Sequence, residues 1–153
     1  MVELRESKPE GQAPVAEKVQ SLMDDDKSPS LRRARGRWAE DLVSNYLQRG
    51  GYEVICRNYT CPGGELDIVA KHGDYLCFVE VRYRSSIDQG EPLETVRHTK
   101  RSRLVSAARH FLAHHSEIDH MRQIQRFDVV SVVGEDSPVI TLVKNAFETS
   151  DGW

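Results

Sequence analysis

Three acids and one arginine stand out by their spacing. Gly63-Gly64-Glu65-Leu66-Asp67-Ile68-Val69-Ala70 and Phe78-Val79-Glu80-Val81-Arg82-Tyr83-Arg84 both alternate apolar and charged residues, and polar Lys71-His72-Gly73-Asp74 separates them. That pattern predicts two strands joined by a turn. Strand side chains point to opposite faces with period two. Glu65 and Asp67 therefore share a face, opposite Leu66, and Glu80 and Arg82 share one opposite Val79 and Val81. If the strands pair, the acids and the arginine gather on one patch of sheet. Crowded carboxylates cost free energy unless something offsets their charge, and a divalent cation does so directly. An acid on one strand with Glu-x-basic on the next is the arrangement of a metal-dependent phosphodiesterase site. The alternative is two exposed polar-face residues of a hairpin.

Other elements must hold this patch in place. Ala39, Leu42, Val43, Tyr46 and Leu47 recur at helical spacing, predicting a helix from about Leu31 or Ala34 to Gln48, stopped by Gly50-Gly51. A first strand is expected over Tyr52 to Tyr59 and a turn at Cys61-Pro62-Gly63-Gly64. The two acidic strands follow, over Glu65 to Lys71 and Tyr75 to Tyr83. A polar loop, Ser85 to Gly90, leads to a long helix from about Leu93 to His115, with Val96, Leu104, Ala107, Ala108, Phe111 and Leu112 as its core stripe. Strands are expected over Phe127 to Val133 and Val139 to Val143, and an irregular tail from Asn145. The order is αβββαβ plus a final strand, an α/β fold with a mixed central sheet flanked by helices.

Glu40 borders the apolar stripe of the first helix, so it can face the sheet; it can equally pair with Arg37 three residues earlier. Lys100 lies in line with Val96 and Leu104 on the long helix, so its cation must snorkel, pair or reach the acidic patch. Arg32, Arg33, Arg35 and Arg37 cluster before Glu40, where they can bind phosphates or simply solvate a helix start. Arg101 and Arg103 suit phosphate contacts or plain surface. Glu65 sits at a strand entrance, beside the acids or paired with an arginine. His110 and His114 are four residues apart, a spacing that holds transition metals, but no accompanying acid follows the zinc-protease pattern.

At 153 residues the chain suits one domain with a core. Residues 1–30 carry 4 basic and 7 acidic residues, with Pro9, Pro14, Pro29 and an Asp24-Asp25-Asp26 run, and are expected to be a disordered tail with room for a short helix around Val15 to Met23. The domain spans 31–147, and 148–153 form a second tail. Beyond residue 30 there are 17 basic and 17 acidic residues, so whole-chain charge does not reveal a basic groove. Cys56, Cys61 and Cys77 read as reduced thiols. No run of 18 apolar residues predicts a membrane span, and the charged start has no apolar signal core, so a cytoplasmic protein is expected.

With this order in hand, the chain resembles the YraN family of small bacterial proteins. The matching pieces include Gly36-x-x-Ala39-Glu40, Arg57-Asn58-Tyr59, Gly64-Glu65-Leu66-Asp67-Ile68-Val69, Phe78-Val79-Glu80-Val81-Arg82, Lys100-x-x-Arg103-Leu104 and Asn145-Ala146-Phe147. That family looks like a restriction-endonuclease-type fold and is similar to archaeal Holliday-junction resolvases. The resemblance implies a Mg²⁺- or Mn²⁺-dependent endodeoxyribonuclease acting on branched or structured DNA. It assigns metal binding to Asp67, Glu80 and Glu40 and catalysis to these three with Arg82; the positions noted above, not the resemblance, offer Arg32, Arg33, Arg35, Arg37, Lys100 and Arg103 as nucleic-acid contacts. Arg82 stands where lysine is usual. A homodimer is an open alternative, because resolvase-like nucleases often need two sites for two strands. The rival readings are a non-catalytic nucleic-acid-binding module and a protein-interaction domain with an ion-pair network.

Overall fold

A computed structural model describes residues 28–86, 98–118 and 122–149. The chain divides into two units, Met1–Ala34 and Arg35–Trp153, and the second holds the whole sheet. Helix α1 (Pro29–Arg49) is followed by β1 (Glu53–Cys61), β2 (Gly64–His72), β3 (Tyr75–Arg84), helix α2 (His98–His114), β4 (Ile124–Val133) and β5 (Val139–Phe147). The expected αβββαβ order is therefore present, with the final strand added.

The boundaries have local causes. Helix α1 starts earlier than its apolar stripe suggests, because Pro29 takes the first helical position and the Ser28 carbonyl accepts from the Arg32 N–H at 3.0 Å. It ends in a Schellman cap: Tyr52 N–H donates to Leu47 O and Gly51 N–H to Gln48 O, with Gly51 at φ 85°. Its buried stripe is Ala39, Val43, Ser44 and Leu47, while Tyr46 faces solvent, contrary to expectation. Strand β5 runs through Asn145 to Phe147, where an irregular tail was expected. A register shift opposite Phe127 and Val129, with Asn145 at φ 50°, lets the strand continue past the irregularity. Phe147 then stacks on Phe127 at 4.6 Å. The expected tail over residues 1–30 is shorter at its end, since α1 already includes Pro29 and Ser30; residues 1–27, the short helix expected around Val15 to Met23, Val96 and the start of the long helix lie outside the described residues.

The five strands lie in the order β1-β2-β3-β4-β5. All neighbours are antiparallel except β3 and β4, which are parallel. A parallel pair needs a crossover connection, and α2 lies in it. Each face of the sheet buries its own cluster. Ala39, Val43 and Leu47 of α1 pack with Ile68, Ala70, Cys77, Val79, Val130 and Val132. Leu104, Ala107, Ala108 and Phe111 of α2 pack with Leu66, Val69, Leu76, Phe78, Phe127 and Val129. The sheet is thus flanked by a helix on each side. Among the described residues no helix is long and apolar enough to cross a membrane.

Candidate functional site

The site sits where the β2–β3 ladder ends. The pairing runs from His72↔Tyr75 to Ile68↔Val79 and stops there. One residue further on, Asp67 replaces a main-chain partner with its side chain: its Oδ2 accepts the Val81 N–H at 2.7 Å. The alternation along β2 breaks at the same point, since Leu66 packs with the α2-side cluster and Ile68 with the α1-side cluster. Glu80 continues the α2-facing series of Leu76 and Phe78. It is 5% exposed.

Helix α2 supplies the cation. Its first turns lie against the β1–β2 turn, and glycine makes that approach feasible. A Cβ on Gly64 would stand 2.7 Å from the Arg103 carbonyl oxygen, and one on Gly63 would stand 2.2 Å from Ser106 Oγ. Drawn in this way, α2 brings the Lys100 ammonium into an ion pair with the Glu80 carboxylate. Lys100 therefore reaches the acidic patch rather than merely snorkelling.

The electrostatics identify what surrounds Asp67. Its carboxyl is pushed up to about 8, first by burial, then by repulsion from Glu80 and, more weakly, from Glu40. The Val81 N–H and the Lys100 ammonium act in the opposite direction. Asp67 on β2 thus feels Glu80 on β3, Glu40 on α1 and Lys100 on α2. Arg82 is half-buried on β3. Glu65 is exposed, Asp67 half-buried and Glu80 buried.

Among the described residues, no three His, Cys, Asp or Glu side chains gather closely enough to form a ready-made cation cage. Magnesium does not require one, because it takes one or two carboxylates and completes its shell with water and phosphate oxygens. The donor chemistry fits a hard dication: carboxyl oxygens only, one of them held protonated by its acidic neighbours and so open to exchange of its proton for a metal ion. The paired histidines do not fit one. His110 Nδ1 bonds the Tyr59 hydroxyl at 2.6 Å, and the Nδ1 atoms of His114 and His115 bond the His110 and Phe111 carbonyl oxygens. The three cysteines are free thiols.

The arginines fall in different places. Arg35 forms an ion pair with Glu135 between β4 and β5, and Glu135 also accepts the Tyr83 hydroxyl at 2.8 Å. Nothing in the spacing of residues 35, 83 and 135 signals this cluster. Arg37 is exposed one helical turn before Glu40, and Arg103 is exposed on α2. Arg32 and Arg33 lie on the first turns of α1, in the unit that ends at Ala34; Arg33 Nε donates to the Pro29 carbonyl at 3.3 Å. The Val81 N–H is the one contributor to the site that residue types could not reveal, since it is main chain.

The fold and the site together define an α/β protein with a nuclease-like core and carboxylates at the end of a strand ladder. The model of the uncharacterised protein family UPF0102 matches residues 39–132. A UPF0102 protein of Anaeromyxobacter sp. (strain Fw109-5) is 42% identical over 118 residues, covering 76% of this chain and 86% of the relative. One from Myxococcus xanthus (strain DK1622) is 39% identical over 122 residues, covering 79% and 94%. One from Legionella pneumophila (strain Philadelphia 1) is 36% identical over 118 residues, covering 77% and 98%. The chain belongs to the UPF0102 family, the YraN family whose motifs it carries.

Proposed function

We propose that this chain is a Mg²⁺- or Mn²⁺-dependent endodeoxyribonuclease that hydrolyses phosphodiesters in branched or structured DNA. The observation that supports it is the half-buried Asp67 and buried Glu80 carboxyl groups at the end of the β2–β3 ladder, where crowding pushes the Asp67 carboxyl up to about 8, so that a bound cation would replace its proton. Asp67 and Glu80 would hold the ion, with Glu40 at its edge. When bound, the ion polarises the phosphoryl group and lowers the pKa of the attacking water.

This chain's own residues do the rest. Arg82 offers a planar fork of N–H donors and no acceptor, so it orients the scissile phosphate through paired hydrogen bonds and stabilises its developing charge. It cannot take the water's proton, which passes to a carboxylate or to solvent as the water oxygen bonds phosphorus and the leaving P–O bond breaks. Arg37 and Arg103 extend the phosphate contacts from two helices. Cleavage of both strands calls for two copies of the chain.

Arg82 in the place of lysine favours a second reading, a nucleic-acid-binding module without catalysis. A cleavage assay separates the two. Linear, flapped and four-way DNA are incubated with Mg²⁺ or Mn²⁺, with Asp67→Ala as control. Cleavage by the wild type that disappears in the variant supports the nuclease. No cleavage of any substrate with either ion, together with salt-dependent binding, supports the module.

A further inference from the structure

We propose that Lys100 is a built-in counter-ion that competes with the divalent cation for Glu80, so that the ion enters only when the ammonium leaves. The inference rests on the metal-site reading above and adds to it how the site is regulated. The ammonium is ion-paired with Oε1 of the same carboxylate that would hold the metal ion. Two cations on one carboxylate repel each other, so the ammonium and a metal ion compete for Glu80.

The geometry decides which partner moves. The Glu80 side chain is 6% exposed, whereas that of Lys100 is 50% exposed. Glu80 is held within the sheet, beside the buried Phe78 and Val79. Lys100 stands on the first turn of α2, on a flexible four-carbon stem with open solvent beside it. Displacement therefore swings the lysine outward and leaves the acid in place. The outward position is where a nucleic-acid phosphate would approach, so the freed ammonium has an anionic partner waiting. By linkage, a phosphate that draws Lys100 away raises metal affinity, and a metal ion that expels Lys100 raises phosphate affinity. Without metal, the pair keeps Glu80 neutralised and the acidic cluster folded.

Calorimetric Mn²⁺ titration of the full chain tests this, with wild type, Lys100→Met, Lys100→Arg and Asp67→Ala compared, and metal-free melting curves confirming that each folds. Lys100→Met is expected to bind Mn²⁺ about fivefold more tightly than wild type, or more. Lys100→Arg keeps a cation there and is expected to stay near wild type. Binding by Lys100→Met when wild type binds none also supports the proposal. Unchanged or weaker binding in Lys100→Met, with binding lost in Asp67→Ala, overturns the counter-ion role and leaves the metal site standing. Mn²⁺ binding that persists in Asp67→Ala, or is absent from wild type and Lys100→Met alike, overturns both.

Discussion

Two buried charge clusters on this sheet invite comparison. One joins Asp67 and Glu80, near Glu40, with Lys100 as its cation. The other joins Arg126 and Asp128 on β4. There, Arg126 Nε and a terminal nitrogen donate to the two Asp128 oxygens at 2.8 and 2.9 Å. The same guanidinium reaches the Tyr52 hydroxyl at 3.2 Å and Cys77 Sγ at 3.3 Å, and Asp128 also accepts the Asn145 N–H at 3.0 Å. It lies over the Tyr75 ring at 4.4 Å. Charge balances charge, and the geometry is bidentate. Nothing there asks for a ligand. At Asp67 the carboxyl is pushed up by burial and by neighbouring acids. Burial alone does not mark function; an acid crowded against other acids, with its pKa pushed up, is the stronger pointer.

The contrast predicts opposite responses to removing an acid. Asp128→Ala strands a buried guanidinium and is expected to destabilise the protein by about 3–5 kcal/mol in urea denaturation. A loss below about 1 kcal/mol would mean that the two clusters do not differ as described.

Asp67→Asn is expected to stabilise the metal-free protein, by on the order of 2 kcal/mol at pH 8. The amide oxygen can still accept the Val81 N–H. The sign follows from the raised pKa. Below about pH 4, the ordinary aspartate range, Asp67 is protonated in both states and contributes no penalty. As pH rises from there toward about 8, the unfolded chain loses this proton and the folded one keeps it. Folded stability therefore falls across that window and levels off above it. The stability gap between Asp67→Asn and wild type should widen from pH 5 to pH 8. A gap that stays constant would remove the electrostatic argument.

The smallest effect belongs to an exposed pair. Arg57 donates to Asp41 at 2.6 Å, between β1 and α1, at the surface. Arg57→Ala is expected to cost less than about 1 kcal/mol, and high salt should erase most of it. A larger loss would show that short distance outweighs burial here.

The site was more legible in the sequence than its surroundings. Period-two alternation brought out Asp67 and Glu80, and helical spacing brought out Glu40 and the inward reach of Lys100. The break in alternation at Asp67 was not legible, because it comes from a ladder that stops in three dimensions. Arg126–Asp128 also escaped notice. Arg126 falls just before the apolar run of β4, where a charged residue reads as a strand end. Its partners Tyr52, Cys77 and Asn145 come from distant parts of the chain, and only the strand order brings them together. The extension of β5 was hidden by Asn145, whose turn-like character ordinarily ends a strand.

The central claim is that the crowded carboxyl groups of Asp67 and Glu80 are a cation site, with Asp67 held protonated when no metal is bound. Thermal melting at pH 8 with and without Mn²⁺, on wild type and Asp67→Asn, tests it most directly. Saturating Mn²⁺ is expected to raise the wild-type Tm by about 5 °C or more and to leave that of Asp67→Asn nearly unchanged. No shift in wild type, or the same shift in both, would contradict it.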